Sequence, residues 1–167
     1  MILINLHGGI KMVSVLVVED DEYLVSLFEK LLKIKSHQVV GKAYDGEQAV
    51  KLYRSFQNHP DVVPDIVLMD YRMPKKSGLD ATKEILSINS DSKIIFISSD
   101  FSIRKQALMA GAVDFLIKPV GFPEILQAIN KITSKMIVPS KKKESMINQE
   151  TNGGRNVITP FLHQTMD

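Results

Sequence analysis

Pro64-Asp65-Ile66-Val67-Leu68-Met69-Asp70-Tyr71-Arg72-Met73-Pro74 decides the fold. The apolar run at 66–69 does not alternate with polar residues, so it suits a strand buried on both faces, as in a parallel sheet covered by helices. It ends in a carboxylate and then a Met-Pro turn, which delivers Asp70 to the carboxyl edge of that sheet. Ligands of open α/β sheets bind at this edge. Taken alone, an acid after an apolar strand is more often a turn or cap residue than a reactive group.

The other apolar runs change that balance. Val15-Leu16-Val17-Val18 leads into Glu19-Asp20-Asp21-Glu22, Ile94-Ile95-Phe96-Ile97 into Ser98-Ser99-Asp100, and Phe115-Leu116-Ile117 into Lys118-Pro119. On parallel strands these ends bring carboxylates, a hydroxyl and an ammonium to Asp70.

Between the strands lie helical patterns. Residues 22–33 carry Leu24, Leu27, Phe28, Leu31 and Leu32 at the spacing of one apolar stripe. Residues 38–43 read as a weaker strand, and Asp45-Gly46 as turn and cap of a helix through Ala49, Val50 and Tyr53. Residues 55–63 read as a polar loop. A helix is expected from Leu79 to about Asn89 with Ile85, Leu86 and Ile88 inward, and a shorter one over 102–110 stopped by Gly111. The strand at 113–117 ends at Pro119, which cannot continue a ladder. A last helix starts at Pro123 with Ile125, Leu126, Ile129, Ile132 and Met136 on one stripe. Five strand–helix repeats joined by right-handed crossovers predict a doubly wound α/β domain.

The 167 residues suit a single domain, with no metal or disulfide needed to hold it together. There is no cysteine, which excludes a Cys nucleophile and a thiolate metal site and makes the cytoplasm the default expectation. A net charge of +2 is too slight to predict nucleic-acid or membrane binding. No apolar run approaches the roughly 20 residues of a spanning helix. The expected organisation is an N-terminal extension at 1–11, the folded domain at 12–138 and a disordered polar tail at 139–167. Lys141-Lys142-Lys143 in that tail reads as a solvated linker.

Glu19 and Asp20 beside Asp70 would crowd three negative charges unless a cation sits among them. Oxygen-only ligands favour a hard ion, and Mg²⁺ prefers one or two carboxylates together with a substrate phosphate. A carboxylate nucleophile forming an acyl phosphate fits such a site. The metal, an ammonium and a hydroxyl would then share the charge that builds up on the transferred oxygens. The four histidines are scattered without metal spacing.

These pieces, Val-Val-Glu-Asp-Asp, Leu-Met-Asp-Tyr-Arg-Met-Pro followed by Gly78, Ile-Ser-Ser and Gly-Ala-Val-Asp-Phe-Leu-Ile-Lys-Pro, resemble the receiver domains of two-component response regulators from about residue 12 to 138. The resemblance implies a flavodoxin-like five-stranded parallel sheet of order 2-1-3-4-5 with helices on both faces. It implies Asp70 as phosphoacceptor, supplied by a histidine kinase or histidine phosphotransfer protein. It makes Glu19, Asp20, Asp70 and the backbone carbonyl of Arg72 the Mg²⁺ ligands. Ser98 takes the Ser/Thr switch position, Lys118 reaches the phosphoryl group, and Phe115 falls at the switch aromatic. A phosphoryl group is expected to draw Ser98 toward it and open space into which Phe115 rotates.

The resemblance further implies a stand-alone, chemotaxis-type receiver, a monomer or a phosphorylation-dependent dimer, with a downstream protein at the face of the fourth helix, fifth strand and fifth helix. Departures from the family are a longer loop at 55–63 and Ser in place of Thr at 98. Arg72, two residues after Asp70, and Asp100, two after Ser98, are expected to project over the mouth of the site, where their pairing would slow hydrolysis of the phosphoryl group. Asp70 itself is expected in a surface cleft crowded with acids. A dehalogenase-type phosphatase is the rival from another class, but it requires a second Asp two residues after the nucleophile, where this chain has Arg72. A nucleotide or flavin module would need a Gly-rich loop where Glu19-Asp20-Asp21-Glu22 stands.

Overall fold

The computed structural model describes residues 12–59 and 62–136. The expected extension at 1–11 and tail at 139–167 lie outside the described residues. Five parallel strands, β1 (Ser14–Val18), β2 (Gln38–Ala43), β3 (Ile66–Asp70), β4 (Ile94–Ser98) and β5 (Asp114–Ile117), form one sheet in the order β2-β1-β3-β4-β5. The helices are α1 (Glu22–Ile34), α2 (Gly46–Ser55), α3 (Gly78–Ile88), α4 (Arg104–Met109) and α5 (Phe122–Met136). This is the doubly wound architecture expected from the alternating pattern, with the flavodoxin-like strand order that the resemblance implies.

The unbroken apolar runs are explained by two cores. Leu16, Val18, Val67, Met69 and Phe96 point to one side, against Ala49 and Tyr53 of α2, Ala81 and Ile85 of α3, and Ala107 of α4. Val15, Val17, Ile66, Leu68 and Ile95 point to the other, against Val25, Phe28 and Leu32 of α1 and Ile125 and Ile129 of α5. Successive residues serve opposite faces, so a strand covered on both sides has no polar position to offer. Truncating one of the fully buried side chains, such as Ile85 to Ala, should cost about 2–5 kcal/mol.

Some boundaries differ from the sequence pattern. The buried stripe of α1 is Val25, Phe28 and Leu32, with Leu24, Leu27 and Leu31 half-buried at its margins. Leucine is equally at home along such a margin, so the stripe's centre was not readable from leucines alone. The helix expected at 102–110 begins as a 3-10 turn, Phe101–Ile103, because the Asp100 side chain accepts from Ser102 N and tightens the chain there. The loop after α2 likewise opens with a 3-10 turn, Phe56–Asn58, whose Phe56 is buried edge-on against Tyr53. Gly111 has φ +105° after α4, the left-handed stop expected there.

Candidate functional site

Register aligns the strand ends. Val18 pairs with Met69, Asp70 with Ile97, and Ser98 with Ile117. The ladder runs one residue further at two places, where Glu19 N donates to Ala43 O and Lys118 N to Ser98 O. Glu19, Asp70, Ser98 and Lys118 therefore leave four neighbouring strands along one edge of the sheet.

Asp21 begins α1 as its N-cap, accepting from Tyr23 N and Leu24 N, and so turns the chain directly after Glu19 and Asp20. Gly78 opens α3 and donates its N–H to Tyr71 O. A Cβ at Gly78 would collide with the backbone oxygen of Asp70, so only glycine lets α3 start this close to β3.

Three carboxylates meet at the edge. Each of Glu19, Asp20 and Asp70 offers an oxygen within 4.8 Å of the other two. Asp70 and Glu19 are only 6% and 3% exposed, whereas Asp20 is exposed. Two of the three acids expected in a surface cleft are thus buried, at the ends of strands that lie inside the sheet. Lys118 supplies the counter-charge: its Nζ donates to Glu19 Oε2 at 2.7 Å and to Asp70 Oδ1 at 2.8 Å. The Lys118–Pro119 peptide bond is cis.

The electrostatics follow from this packing. Burial pushes the Glu19 carboxyl up; the hydrogen bond from Lys118 opposes that, and the Asp70 and Asp20 charges add to it. Burial alone would lower the Lys118 ammonium, but its bonds to Asp70 and Glu19 outweigh this and raise it. Lys118 is therefore a fixed cation at neutral pH. The all-oxygen donor set, with two buried members and one open to solvent, fits a hard divalent ion such as Mg²⁺.

Ser98 is buried, and its hydroxyl accepts from Asp100 N at 3.1 Å. Arg72 reaches from the loop after β3 to Asp100, with Nη2 donating to Oδ2 at 2.6 Å. The other oxygen of Asp100 accepts from Ser102 N and Oγ at 3.0 and 2.5 Å. The bonds from Ser102 and Arg72 hold the Asp100 carboxyl below its ordinary range. Phe115 is already inside, 8% exposed and stacked on Phe96 with centroids 6.3 Å apart. The expected rotation of Phe115 into newly opened space thus starts from a ring that is already packed. A phenylalanine has no hydroxyl to hold it at the surface, and Phe96 gives it a partner.

One element of the site was not visible in the sequence. Lys75 bonds through Nζ to the buried Asp45 at 2.6 Å. Its left-handed backbone, φ +62°, leaves no mark in the amino-acid order.

Comparison with known proteins agrees with this geometry. The family model of the response regulator receiver domain matches residues 15–130. The chemotaxis protein CheY of Thermotoga maritima is 34% identical over 121 residues, which cover 71% of this chain and 96% of that protein. CheY of Bacillus subtilis is 35% identical over 119 residues, covering 70% and 94%. Among solved structures, a chain of the CheX–CheY–BeF3–Mg²⁺ complex from Borrelia burgdorferi aligns with a TM-score of 0.66 at 29% identity, covering 78% of this chain and 95% of that one. Among the described residues no helix is long and apolar enough to cross a membrane. With a family match over most of the described residues and the same sheet beneath it, the chain belongs to the response regulator receiver family of two-component signalling systems.

Proposed function

We propose that the protein is a phosphoacceptor switch in which Asp70 takes a phosphoryl group from a histidine kinase or a histidine phosphotransfer protein. The observation that carries this reading is the contact of Lys118 Nζ with Asp70 Oδ1 at 2.8 Å inside a group of three carboxylates. A carboxylate held at a strand end beside a fixed ammonium is placed to attack phosphorus. A carboxylate oxygen of Asp70 forms the new O–P bond, the P–N bond of the phosphohistidine breaks, and its electron pair leaves on the imidazole nitrogen, which is then protonated.

Glu19, Asp20, Asp70 and the backbone carbonyl of Arg72 would hold Mg²⁺. When bound, the ion supplies positive charge against the phosphoryl oxygens as transfer proceeds. Lys118 neutralises the same charge from the β5 side, and Ser98 Oγ is the hydroxyl available to the phosphoryl group from β4. The new group carries about −1.5 to −2 charge and strong acceptors, so it draws these donors and alters the packing of Phe115 behind them. The altered surface is the face of α4, β5 and α5, to which a downstream protein would bind.

The test is incubation with acetyl phosphate, with and without Mg²⁺, followed by mapping of any hydroxylamine-sensitive phosphate. Modification at Asp70 that depends on Mg²⁺ supports the reading. Modification at another residue, or none, overturns it.

A further inference from the structure

We infer that Asp45 and Lys75 form a latch that positions the loop at 71–77 for metal binding. This inference rests on the reading that the loop's Arg72 carbonyl is a Mg²⁺ ligand. A ligand on a loop is only as well placed as the loop: Asp70 ends β3, and Glu19 and Asp20 fill the short step from β1 to the cap of α1, whereas Arg72 lies within the longer loop at 71–77.

Within itself the loop has few ties: Lys76 N donates to Pro74 O at 2.7 Å, and Gly78 N to Tyr71 O at 3.0 Å. Its two bonds to the β2–α2 corner are of a different kind. Gly46 N donates to Lys76 O at 3.2 Å, and Lys75 Nζ donates to Asp45 Oδ2 at 2.6 Å. A Cβ on Gly46 would sit 2.5 Å from that Lys76 oxygen, so glycine permits the approach.

Asp45 is built as the anchor. It is 2% exposed, and both of its oxygens are engaged. Oδ1 accepts from Gln48 N at 2.8 Å, capping α2, while Oδ2 accepts from Gln48 Nε2 at 2.7 Å as well as from Lys75. A buried carboxylate needs a cation, and Lys75 provides it. Lys75 does so from a left-handed backbone, φ +62°, which glycine or asparagine adopts with less strain. A lysine in that conformation is accounted for by what its ammonium reaches. The latch thus joins the corner beyond β2 to the loop that leads on from Asp70.

The experiment compares Mg²⁺ affinity, measured by calorimetry, in wild type, Lys75→Met, Lys75→Arg and Asp70→Asn. Lys75→Met keeps most of the unbranched stem and removes the ammonium. Partners one step behind a metal ligand commonly change affinity about 10- to 100-fold; a largely exposed lysine acting through a loop should give about three- to tenfold. Lys75→Arg should restore most of it. Amide exchange gives a second readout: in Lys75→Met the Gly46 N–H, which donates to Lys76 O, should exchange faster while the strand amides do not change.

Unchanged Mg²⁺ affinity in Lys75→Met, with wild type binding normally, overturns the latch. Unchanged exchange at Gly46 also overturns it. If instead Asp70→Asn binds Mg²⁺ as wild type does, the assignment of the metal site fails, and the Gly46 exchange still decides whether the latch exists.

Discussion

Lys118 Nζ lies 2.8 Å from Asp70 Oδ1 and bridges it to Glu19. Asp70 is therefore both repelled by its acidic neighbours and attracted by an ammonium, and replacing it removes both effects. Three carboxylates and one ammonium carry a net −2, and loss of one carboxylate leaves −1. Lys118 keeps Glu19 as its partner, so the usual penalty for stranding a buried cation is avoided. Asp70→Asn should change folding stability by no more than about 1 kcal/mol in either direction while abolishing phosphorylation. Urea unfolding and intact mass after acetyl phosphate treatment measure the two. A large destabilisation would mean that the Lys118 contact dominates the cluster.

Glu19→Gln combined with Asp20→Asn should weaken Mg²⁺ binding by at least about tenfold, since two of the three carboxylate donors lose their charge. The buried amide at 19 can still accept from Lys118, so the fold should survive. Titration of Mg²⁺ by calorimetry decides, and unchanged affinity would place the ion elsewhere.

Much of this site is legible in the amino-acid sequence. Apolar runs ending in Glu19, Asp70, Ser98 and Lys118 suffice to predict a shared edge, because parallel strands bring like ends together. Burial was less legible. An acidic stretch such as Glu19-Asp20-Asp21-Glu22 looks solvent-facing throughout, yet only the first residue is buried, in the ladder to Ala43. Contacts that depend on loop conformation, such as Lys75 to Asp45, leave no periodic trace. Residues 30 apart in sequence meet there only because the β2–α2 and β3–α3 loops share one end of the sheet.

Ser98→Ala should uncouple phosphorylation from the packing around Phe115. The Ser98 hydroxyl now holds Asp100 N at 3.1 Å, and a phosphoryl group would compete for it. Because Phe115 already stacks on Phe96, the expected response is reorientation of the ring pair rather than burial of an exposed ring. NMR shifts of the two rings, with and without beryllofluoride, report this. Equal shifts in wild type and Ser98→Ala would sever the proposed link.

Asp45 offers a pH test. Burial tends to raise its carboxyl, but bonds from Lys75 and Gln48 outweigh that and hold it below the ordinary 3.8. A depressed folded value means that its stabilisation is complete above the unfolded value and lost as pH falls through the folded one. The stability difference between wild type and Asp45→Asn should therefore be constant from about pH 8 to pH 5 and shrink only below about pH 4. Urea midpoints across that range measure it, and a difference that already falls between pH 7 and pH 5 would contradict the assignment.

The lifetime of the phosphoryl group should depend on Arg72 and Asp100. Hydrolysis requires water to reach phosphorus in line with the Asp70 oxygen that leaves, and the 2.6 Å pair lies between the loop after β3 and the loop after β4. Asp100 is fixed from the far side by Ser102, so the pair is anchored at one end while the Arg72 side chain remains largely exposed. Such a lid needs no great strength: obstructing the approach is enough, and each tenfold in rate is only about 1.4 kcal/mol of barrier. We propose that the two residues act as one gate. Arg72→Ala and Asp100→Ala should then each speed autodephosphorylation about three- to tenfold, and the double mutant should be little faster than either, because the first substitution already opens the gate. High salt should have the same effect on wild type and little on the mutants, since an exposed pair is screened. Phosphate-release rates for the four proteins at two ionic strengths decide the matter. Effects that add on the logarithm of the rate, or no effect, would reduce Arg72 and Asp100 to two independent surface charges.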